Sequence, residues 1–229
     1  MSPPPHLQIA IDGPAASGKT TVAHLLAQRM RILYLDTGAM YRALAYLALQ
    51  TRTDADNEAA LARLCERGLV AVHVDAAAPL GFRITAGEKE LDEATLQSNG
   101  VTAIVSTIAS HPKVRDAMLH AQRAIAQEGP VVMAGRDIGT VVLPLAQVKI
   151  FLTASVLARV ERRRAQLLAA GVDVNVHQLA QEIEERDRLD RTRTVSPLAT
   201  APDAHIVDSS ALGVEEVVRE IEAIVERLR

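Results

Sequence analysis

Residues 13–20 read Gly-Pro-Ala-Ala-Ser-Gly-Lys-Thr, which matches the pattern G-x-x-x-x-G-K-[ST]. Residues 7–11 before this stretch are apolar and partly β-branched, as in a buried strand, and apolar residues recur at helical spacing after it. A strand, a glycine-rich turn and a helix, in that order, form the setting that this pattern requires. Glycines let the backbone approach an anion, and the N–H groups at the helix start carry partial positive charge. The stretch therefore predicts a phosphate-binding loop, or P-loop.

The phosphate loop implies a nucleoside triphosphate as ligand. Lys19 would reach the β- and γ-phosphates, and the hydroxyl of Thr20 would ligate Mg²⁺. The predicted ATP contacts run through the loop into the helix and are Gly13, Pro14, Ala15, Ala16, Ser17, Gly18, Lys19, Thr20 and Thr21. The alternative is a chance glycine-rich turn before a helix, which the two correct flanks disfavour. We therefore predict ATP as a ligand and Mg²⁺ as the cofactor.

Composition argues against several other classes of protein. The 229 residues are 48% hydrophobic, enough for one core with small insertions, and no apolar run is long enough to span a membrane. A net charge of −3 and only 2% aromatic residues argue against a nucleic acid polymer as partner. The single cysteine, Cys65, excludes an internal disulfide, and the Pro-rich residues 1–6 lack the features of a signal peptide. We expect a cytoplasmic monomer with a flexible N-terminus at residues 1–6.

Apolar strands alternate with amphipathic helices through most of the chain. We predict strands at residues 7–11, 32–36, 131–134, 148–152 and 205–208. We predict helices at residues 39–49, 58–67, 101–110, 113–127, 154–169 and 178–191, and a last helix that Ser209 and Ser210 open. This alternation is typical of an α/β fold, here a parallel P-loop sheet with helices on both faces.

Residues 69–91 break the alternation. Residues 69–75 and 80–85 are short β-branched or alternating runs with a turn at 76–79 between them, and a third short run follows at 88–91. Strands this close together leave no room for crossover helices. The segment therefore predicts a small antiparallel β-sheet inserted into the parallel α/β unit.

Polar residues follow three of the predicted parallel strands. Asp12 ends the first strand, Asp36 and Thr37 end the second, and Arg136 and Asp137 follow the third. Ligands of such sheets bind at the carboxyl ends of the strands. We expect these residues to converge beside the phosphate loop. The alternative is that they are loop residues with no common site.

Residues 159–193 contain eight arginines, and the ordinary interpretation is a helix surface covered with solvated ion pairs. Such pairs at i,i+4 contribute little to stability. The candidate pairs are Glu182–Arg186, Glu184–Arg188 and Asp187–Arg191.

A second interpretation of the same region is a binding face. Arg186, Asp190 and Arg193 fall at i, i+4 and i+7, so they share one side of the helix if it continues to residue 193, whereas Arg188 and Arg191 face elsewhere. This side would present two guanidiniums and one carboxylate to a phosphorylated ligand. We favour this interpretation because a phosphate loop is already present, and we predict that residues 155–193 form a moving helical lid.

Four stretches resemble those of one known family. They are Ile-Asp-Gly-Pro at 11–14, Leu-Asp-Thr-Gly-Ala-Met-Tyr-Arg at 35–42, Gly-Arg-Asp-Ile-Gly-Thr-Val-Val at 135–142 and Glu-Arg-Asp-Arg-Leu-Asp-Arg at 185–191. In this order they resemble the bacterial cytidylate kinases, and the resemblance runs from the first strand to the last helix. Thr37 stands where some members have serine, which keeps the hydroxyl. Thr20 stands where other members have glycine, and it restores the usual Mg²⁺ ligand.

The resemblance implies a nucleoside-monophosphate kinase fold of three parts. These are an ATP-binding core at residues 7–38, 129–153 and 200–229, a CMP-binding region with the insert at about 39–128, and a lid at about 155–193. The activity it implies is ATP-dependent phosphorylation of CMP and dCMP to CDP and dCDP, in pyrimidine nucleotide metabolism.

The same resemblance divides the site residues by the part of the substrate they would contact. The acceptor phosphate would bind Arg42, Arg136 and Arg186, and the ribose or deoxyribose would bind Asp190. The cytosine would be read by Ser106, Arg115 and Asp137. The remaining assignments are Asp36 and Thr37 for substrate binding and Lys19, Arg159, Arg162, Arg186 and Arg193 for catalysis.

Two other functions use a phosphate loop and stay open as alternatives. A GTPase-like switch reads guanine with N-K-x-D, but no asparagine of this chain precedes a lysine. A kinase for another small molecule, such as AMP or shikimate, is disfavoured by the predicted β-insert and by residues 135–137. The seven histidines form no metal-binding pattern, and no Ser-His-Asp or Cys-His arrangement can be argued.

Overall fold

The structure is a computed structural model that describes residues 6–75, 77–78, 81–169 and 171–228. Five expectations fall partly on other residues. Outside the described ranges lie residues 1–5 of the expected flexible N-terminus, residues 76 and 79 of the predicted turn, residue 80 of the insert, residue 170 of the lid and residue 229 of the core.

The described residues form eight strands and nine α-helices. The strands are β1 Gln8–Asp12, β2 Leu33–Asp36, β3 Val70–Val74, β4 Phe82–Ala86, β5 Lys89–Glu90, β6 Val131–Gly135, β7 Val148–Thr153 and β8 His205–Asp208. The helices are α1 Lys19–Met30, α2 Thr37–Gln50, α3 Glu58–Glu66, α4 Glu93–Leu96, α5 Asn99–Ser110, α6 Pro112–Ile125, α7 Val156–Ala169, α8 Val176–Thr192 and α9 Val214–Leu228.

Five strands form a parallel sheet in the order β2-β6-β1-β7-β8, which confirms the predicted fold class. Every residue of β1 and β6 is buried, as expected for parallel strands covered by helices on both faces. Strand β1 lies at the centre, with Asp12 in register with Gly135 on one side and Phe151 on the other. The loop that leaves β1 therefore opens beside the residues that follow β6 and β7.

The insert is a separate antiparallel sheet in the order β3-β4-β5, as the spacing of its strands predicts. Along β4, Phe82, Ile84 and Ala86 are buried while Arg83 is exposed, which is the alternation of a sheet with one covered face. Helix α2 packs against β3 and β4, so the insert is attached to the helix that follows β2.

Side-chain caps account for several helix boundaries that differ from the predicted ones. Helix α2 begins two residues early because Asp36 accepts a hydrogen bond from the N–H of Gly38. Helix α8 begins at Val176 because Asn175 accepts from the N–H groups of residues 177 and 178. Helix α9 begins only at Val214, since the preceding Ser209 bonds to the phosphate loop and to β7 instead.

Residues 138–142, after β6, form a π-helical turn that the sequence did not predict. Its first two N–H groups donate to Asp12, with Ile138 N at 2.8 Å from Oδ1 and Gly139 N at 2.7 Å from Oδ2. The carboxylate at the end of β1 thus supplies the hydrogen bonds that the start of a helix lacks. No helix among the described residues is both long enough and apolar enough to cross a membrane.

Candidate active site

Two glycines allow the phosphate loop to fold tightly over the end of the sheet. A Cβ on Gly13 would lie 2.0 Å from the carbonyl oxygen of Leu152, so no side chain fits between the loop and β7. Gly18, immediately before α1, has φ +90° in the left-handed region that glycine adopts freely. Each glycine is therefore required by the local backbone, and the loop ends on the first turn of α1.

Lys19 is buried beside this loop. Its Nζ donates to the carbonyl of Pro14 at 2.7 Å and lies 3.4 Å from Ser17 Oγ. Burial, followed by the positive charge of Arg136, lowers the pKa of Lys19 well below its ordinary value. A phosphate beside Lys19 would stabilise the charged ammonium, so the loop presents a cation that favours an anionic ligand.

A hydroxyl and a carboxylate meet at the start of α1 and the end of β2. Thr20 Oγ1 donates to Asp36 Oδ2 at 3.1 Å, while the other carboxylate oxygen caps α2. The neighbouring Thr37 is buried, and its hydroxyl donates to the carbonyl of Ala134 at 3.0 Å. Because that proton is already donated, Thr37 could serve a ligand only as an acceptor.

The phosphate loop borders a cleft, and three guanidiniums come together on the other side of it. Arg136 Nε donates to Asp190 Oδ2 at 2.7 Å, and Arg42 Nη1 donates to the carbonyl of Leu96 at 3.0 Å. Arg186 has a buried Nε with no hydrogen-bond partner in the described part of the chain. Burial, then the charges of Arg136 and Arg42, lower the pKa of Arg186 to about 10. Such a cluster is suited to binding an anion.

A buried ion pair lies further along the cleft. Arg115 Nη2 donates to Asp137 Oδ2 at 2.5 Å, and both side chains are 7% exposed. Arg193 Nη2 lies 3.6 Å from the other oxygen of Asp137, and the Arg115 guanidinium lies 5.3 Å from the ring centre of Tyr41. Ser106 is half-buried on α5, and no hydrogen bond of the described structure joins it to this pair. The structure therefore brings Arg115, Asp137 and Arg193 together.

Two arginines of α7, Arg159 and Arg162, are directed into the protein. Arg159 Nη1 donates to Asp187 Oδ2 at 2.5 Å and to the carbonyl of Ala15 at 3.1 Å. Arg162 donates to Ser209, with Nη1 at 2.9 Å from its Oγ, and also reaches the carbonyls of residues 17 and 212. Both side chains, predicted as catalytic, thus anchor the helix to the phosphate loop and to the segment after β8.

The candidate i,i+4 ion pairs of α8, which belong to the interpretation that we disfavoured, are not formed among the described residues. Arg188 pairs with Glu185 at i,i+3, with Nη2 at 2.6 Å from Oε1. Asp187 points inward to Arg159 instead of along the helix to Arg191, and Arg186 points into the guanidinium cluster. The competing interpretation fits the geometry. The predicted binding face is turned inward, with Asp190 buried and Arg186 and Arg193 at most half-exposed, while Arg188 and Arg191 are exposed.

Three residues of the site escaped the sequence analysis in whole or in part. Asp12 appeared only as a polar strand end, although its position before the loop was a signal. Asp187 entered only as a candidate partner of Arg191 and within the stretch 185–191, because its actual partners lie far away in the sequence. Arg163 could have been found from the sequence, since it lies four residues after Arg159 on the same helix face. Its positive charge contributes to lowering the pKa of Arg42 and of Arg186.

Two sequence comparisons with known proteins point to one family. A family model described as Cytidylate kinase matches residues 9–227. The cytidylate kinase of a Geobacillus species is 47% identical over 220 residues, covering 96% of each chain. Those of Enterococcus faecalis and Pelotomaculum thermopropionicum are 47% identical over 221 residues and 48% identical over 215 residues, covering 96% and 94% of each chain. The similarity therefore extends over the whole cleft.

Proposed function

The chain belongs to the cytidylate kinase family, and from that premise we propose that it transfers the γ-phosphoryl group of ATP to CMP or dCMP, giving ADP and CDP or dCDP. The observation that carries the proposal is the cluster of Arg42, Arg136 and Arg186 opposite a phosphate loop. One phosphate site for the donor and one for the acceptor are what a nucleotide-to-nucleotide transfer needs.

The acceptor phosphate is assigned to the guanidinium cluster. Two of the three arginines have a pKa below the ordinary value because they are buried near like charges. A phosphate dianion would offset that repulsion and accept from the unpartnered Nε of Arg186. The second ionisation of a phosphate monoester has a pKa of about 6. At neutral pH the acceptor phosphate is therefore already a nucleophile and needs no general base.

The donor phosphates are assigned to the loop and Lys19. Transfer spreads negative charge over the equatorial oxygens of the phosphoryl group, so catalysis consists mainly of positioning and charge stabilisation. Lys19 would exchange the carbonyl of Pro14 for a phosphate oxygen. The arginines of residues 155–193, which we propose as the lid, would complete the positive surroundings from the opposite side.

The residues of the chain fit a magnesium ion as cofactor. Thr20 Oγ1 is an oxygen ligand of the type Mg²⁺ prefers, and Asp36 lies 3.1 Å from it at the same edge of the sheet. The described residues contain no cluster of three metal-binding side chains, which agrees with a metal held largely by phosphates and water. When bound, Mg²⁺ would neutralise charge on the β- and γ-phosphates.

Base recognition is assigned to the buried pair of Arg115 and Asp137. Cytosine offers an N4 amino donor and an N3 acceptor, whereas uracil offers an O4 acceptor and an N3–H donor. A carboxylate can accept from the N4 amine and a guanidinium can donate to N3, so the pair matches cytosine and mismatches uracil. We assign the sugar to Asp190, which Arg136 holds at 2.7 Å, and keep Ser106, Asp36 and Thr37 as further substrate contacts.

We further propose that the enzyme works as a cytoplasmic monomer with the three parts described above. The single cysteine, Cys65, forms no disulfide within the chain, which agrees with a reducing compartment.

A coupled assay of ADP release across nucleoside monophosphates tests the function. We expect turnover with CMP and dCMP, and much weaker turnover with UMP, AMP and GMP. Equal use of AMP or UMP would reject the assignment of the base site. Hydrolysis of a triphosphate with no acceptor preference would favour a nucleotide switch.

A further inference from the structure

Asp187 makes contacts that the proposed reaction does not explain. It lies on α8, in the predicted lid, yet it is 3% exposed and buried against the phosphate loop. The N–H of Ala15 donates to its Oδ1 at 3.1 Å, and Arg159 Nη1 donates to its Oδ2 at 2.5 Å. Arg159 Nη1 also donates to the carbonyl of Ala15 at 3.1 Å. Both polar backbone groups of one loop residue are thus bound by side chains from two different helices.

The loop residue after these contacts has an unfavourable backbone conformation. Ala16 has φ +57°, in the left-handed region that residues with a Cβ rarely adopt. Such conformations persist where the surrounding structure over-determines them. The bonds that hold Ala15 on both sides provide that constraint. The turn at Ala16 in turn sets the direction of the N–H groups that follow it, which in loops of this type face the phosphates.

We propose that Asp187 is a positioning residue for phosphoryl transfer, because it fixes the phosphate loop at Ala15 and the lid arginine Arg159 relative to one another. This rests on ATP being the phosphoryl donor, as proposed above. Asp187 need not touch a substrate, since it acts through its two partners. Arg159 keeps a buried Nε with no partner in the described part of the chain, which is free to donate to a phosphoryl oxygen.

The test compares Asp187→Asn with Glu185→Gln. Each variant removes one carboxylate from α8, but Glu185 is exposed and pairs only with Arg188 on the outer face. We expect Asp187→Asn to lower kcat/KM for ATP by about 10- to 100-fold, the cost of a small displacement of catalytic groups, while the KM for CMP changes by less than about twofold. Glu185→Gln should behave as the wild type. Equal effects of the two variants, or an equal rise in the KM for ATP and CMP, would overturn the proposal.

A second substitution separates positioning from simple anchoring of the lid. Glycine adopts the left-handed conformation without strain, so in an Ala16→Gly background the loop should depend less on its contacts with Asp187. We expect the loss caused by Asp187→Asn to be several-fold smaller in that background. The same loss in both backgrounds would mean that Asp187 only anchors the lid. If Asp187→Asn does not fold, Asp187→Glu keeps the charge at a displaced position and should show a smaller loss confined to ATP.

A binding measurement makes the test independent of the acceptor. Calorimetric titration with a non-hydrolysable ATP analogue, without CMP, should show weaker binding by Asp187→Asn than by the wild type. If the wild type binds the analogue but does not phosphorylate CMP, the acceptor assignment fails and the role of Asp187 stands. If both proteins bind the analogue equally tightly, the positioning role fails whatever the acceptor.

Discussion

The donor side and the acceptor side of the cleft are built in opposite ways. The donor side is one run of eight consecutive residues at 13–20, and its cation Lys19 is hydrogen-bonded within that run. The acceptor side draws Arg42, Arg136 and Arg186 from three distant segments, and their like charges lie close together. The donor cation therefore has a hydrogen-bond partner before a ligand arrives, although burial and Arg136 lower its pKa, whereas the acceptor side leaves the Nε of Arg186 without a partner in the described structure, beside two like charges.

This difference predicts how each side responds when one residue is removed. On the donor side, the loss of Lys19 should remove charge stabilisation and the hydrogen bonds of its ammonium group to the loop. On the acceptor side, the loss of a guanidinium should remove both a ligand contact and a source of repulsion, so activity should fall while stability does not.

Lys19→Ala should lower kcat by about 10⁴-fold, because no other donor in the loop can supply a full charge at the β- and γ-phosphates. Kinetics with saturating CMP and thermal unfolding measure the effect and the state of the fold. Lys113→Ala, which removes an exposed lysine from α6, is the matched control. A folded Lys19→Ala protein with near-normal kcat would show that the loop does not bind the transferred phosphate.

Arg186→Ala should lower kcat/KM for CMP by about 10³-fold, in the range seen when an arginine that stabilises a transferring phosphoryl group is lost. Arg188→Ala, two residues away, should change it by less than about twofold, because an exposed pair such as Arg188–Glu185 contributes little. The Tm of the free enzyme should rise, because Arg186 is a buried cation beside Arg136 and Arg42 and its removal relieves their repulsion.

Comparable losses from the two arginine variants would contradict the assignment of their helix faces. A large fall in Tm with Arg186→Ala would contradict the contrast between the two sides, since it would mean that Arg186 stabilises the free fold. Calorimetry in the presence and absence of CMP distinguishes these results.

The contrast also explains how much of the site the sequence could predict. The phosphate loop is local, so its strand, turn and helix follow from neighbouring residues, and the parallel sheet follows from the alternation of strands and helices. The insert was predictable because its strands are too close together for crossovers. Contacts such as Asp187 with Ala15, 172 residues apart, depend on tertiary packing that no local pattern encodes. The candidate ion pairs of α8 do not form for the same reason, because Asp187 and Arg186 are turned inward.

Asp137→Asn should shrink the preference for CMP over UMP by about 10- to 100-fold, because an amide can donate to uracil O4 where a carboxylate repels it. The buried pair with Arg115 would also be weakened, so some loss with both substrates is expected. The measurement is kcat/KM for CMP and UMP with wild type and variant. An equal loss for both substrates would assign Asp137 to the metal or to the phosphates instead of the base.

An effect on stability is expected where the two sides meet, at Asp12. This carboxylate ends the strand that leads into the phosphate loop, and it accepts the N–H groups of Ile138 and Gly139, just after the Arg136–Asp137 segment of the acceptor side. Burial raises its pKa from 3.8 to about 6, against the opposing effect of those two hydrogen bonds and of Lys19. The nearby charge of Asp137 raises it further.

A raised carboxyl pKa has a definite sign in the stability of the fold. Between about pH 4 and 6 the folded protein keeps a proton on Asp12 that the unfolded chain has released, so its contribution to the free energy of unfolding falls as the pH rises through this window. A shift of about 2 pKa units corresponds to about 3 kcal/mol. The side chain of the Asp12→Asn variant cannot titrate. The unfolding free energy of the wild type minus that of the variant should therefore fall by up to that amount between about pH 4 and 7. Urea unfolding of both proteins across this range measures the difference, and other titrating groups cancel in it. If the difference does not change with pH, the Asp12 carboxylate is ionised at little cost, and burial does not raise its pKa in the folded protein.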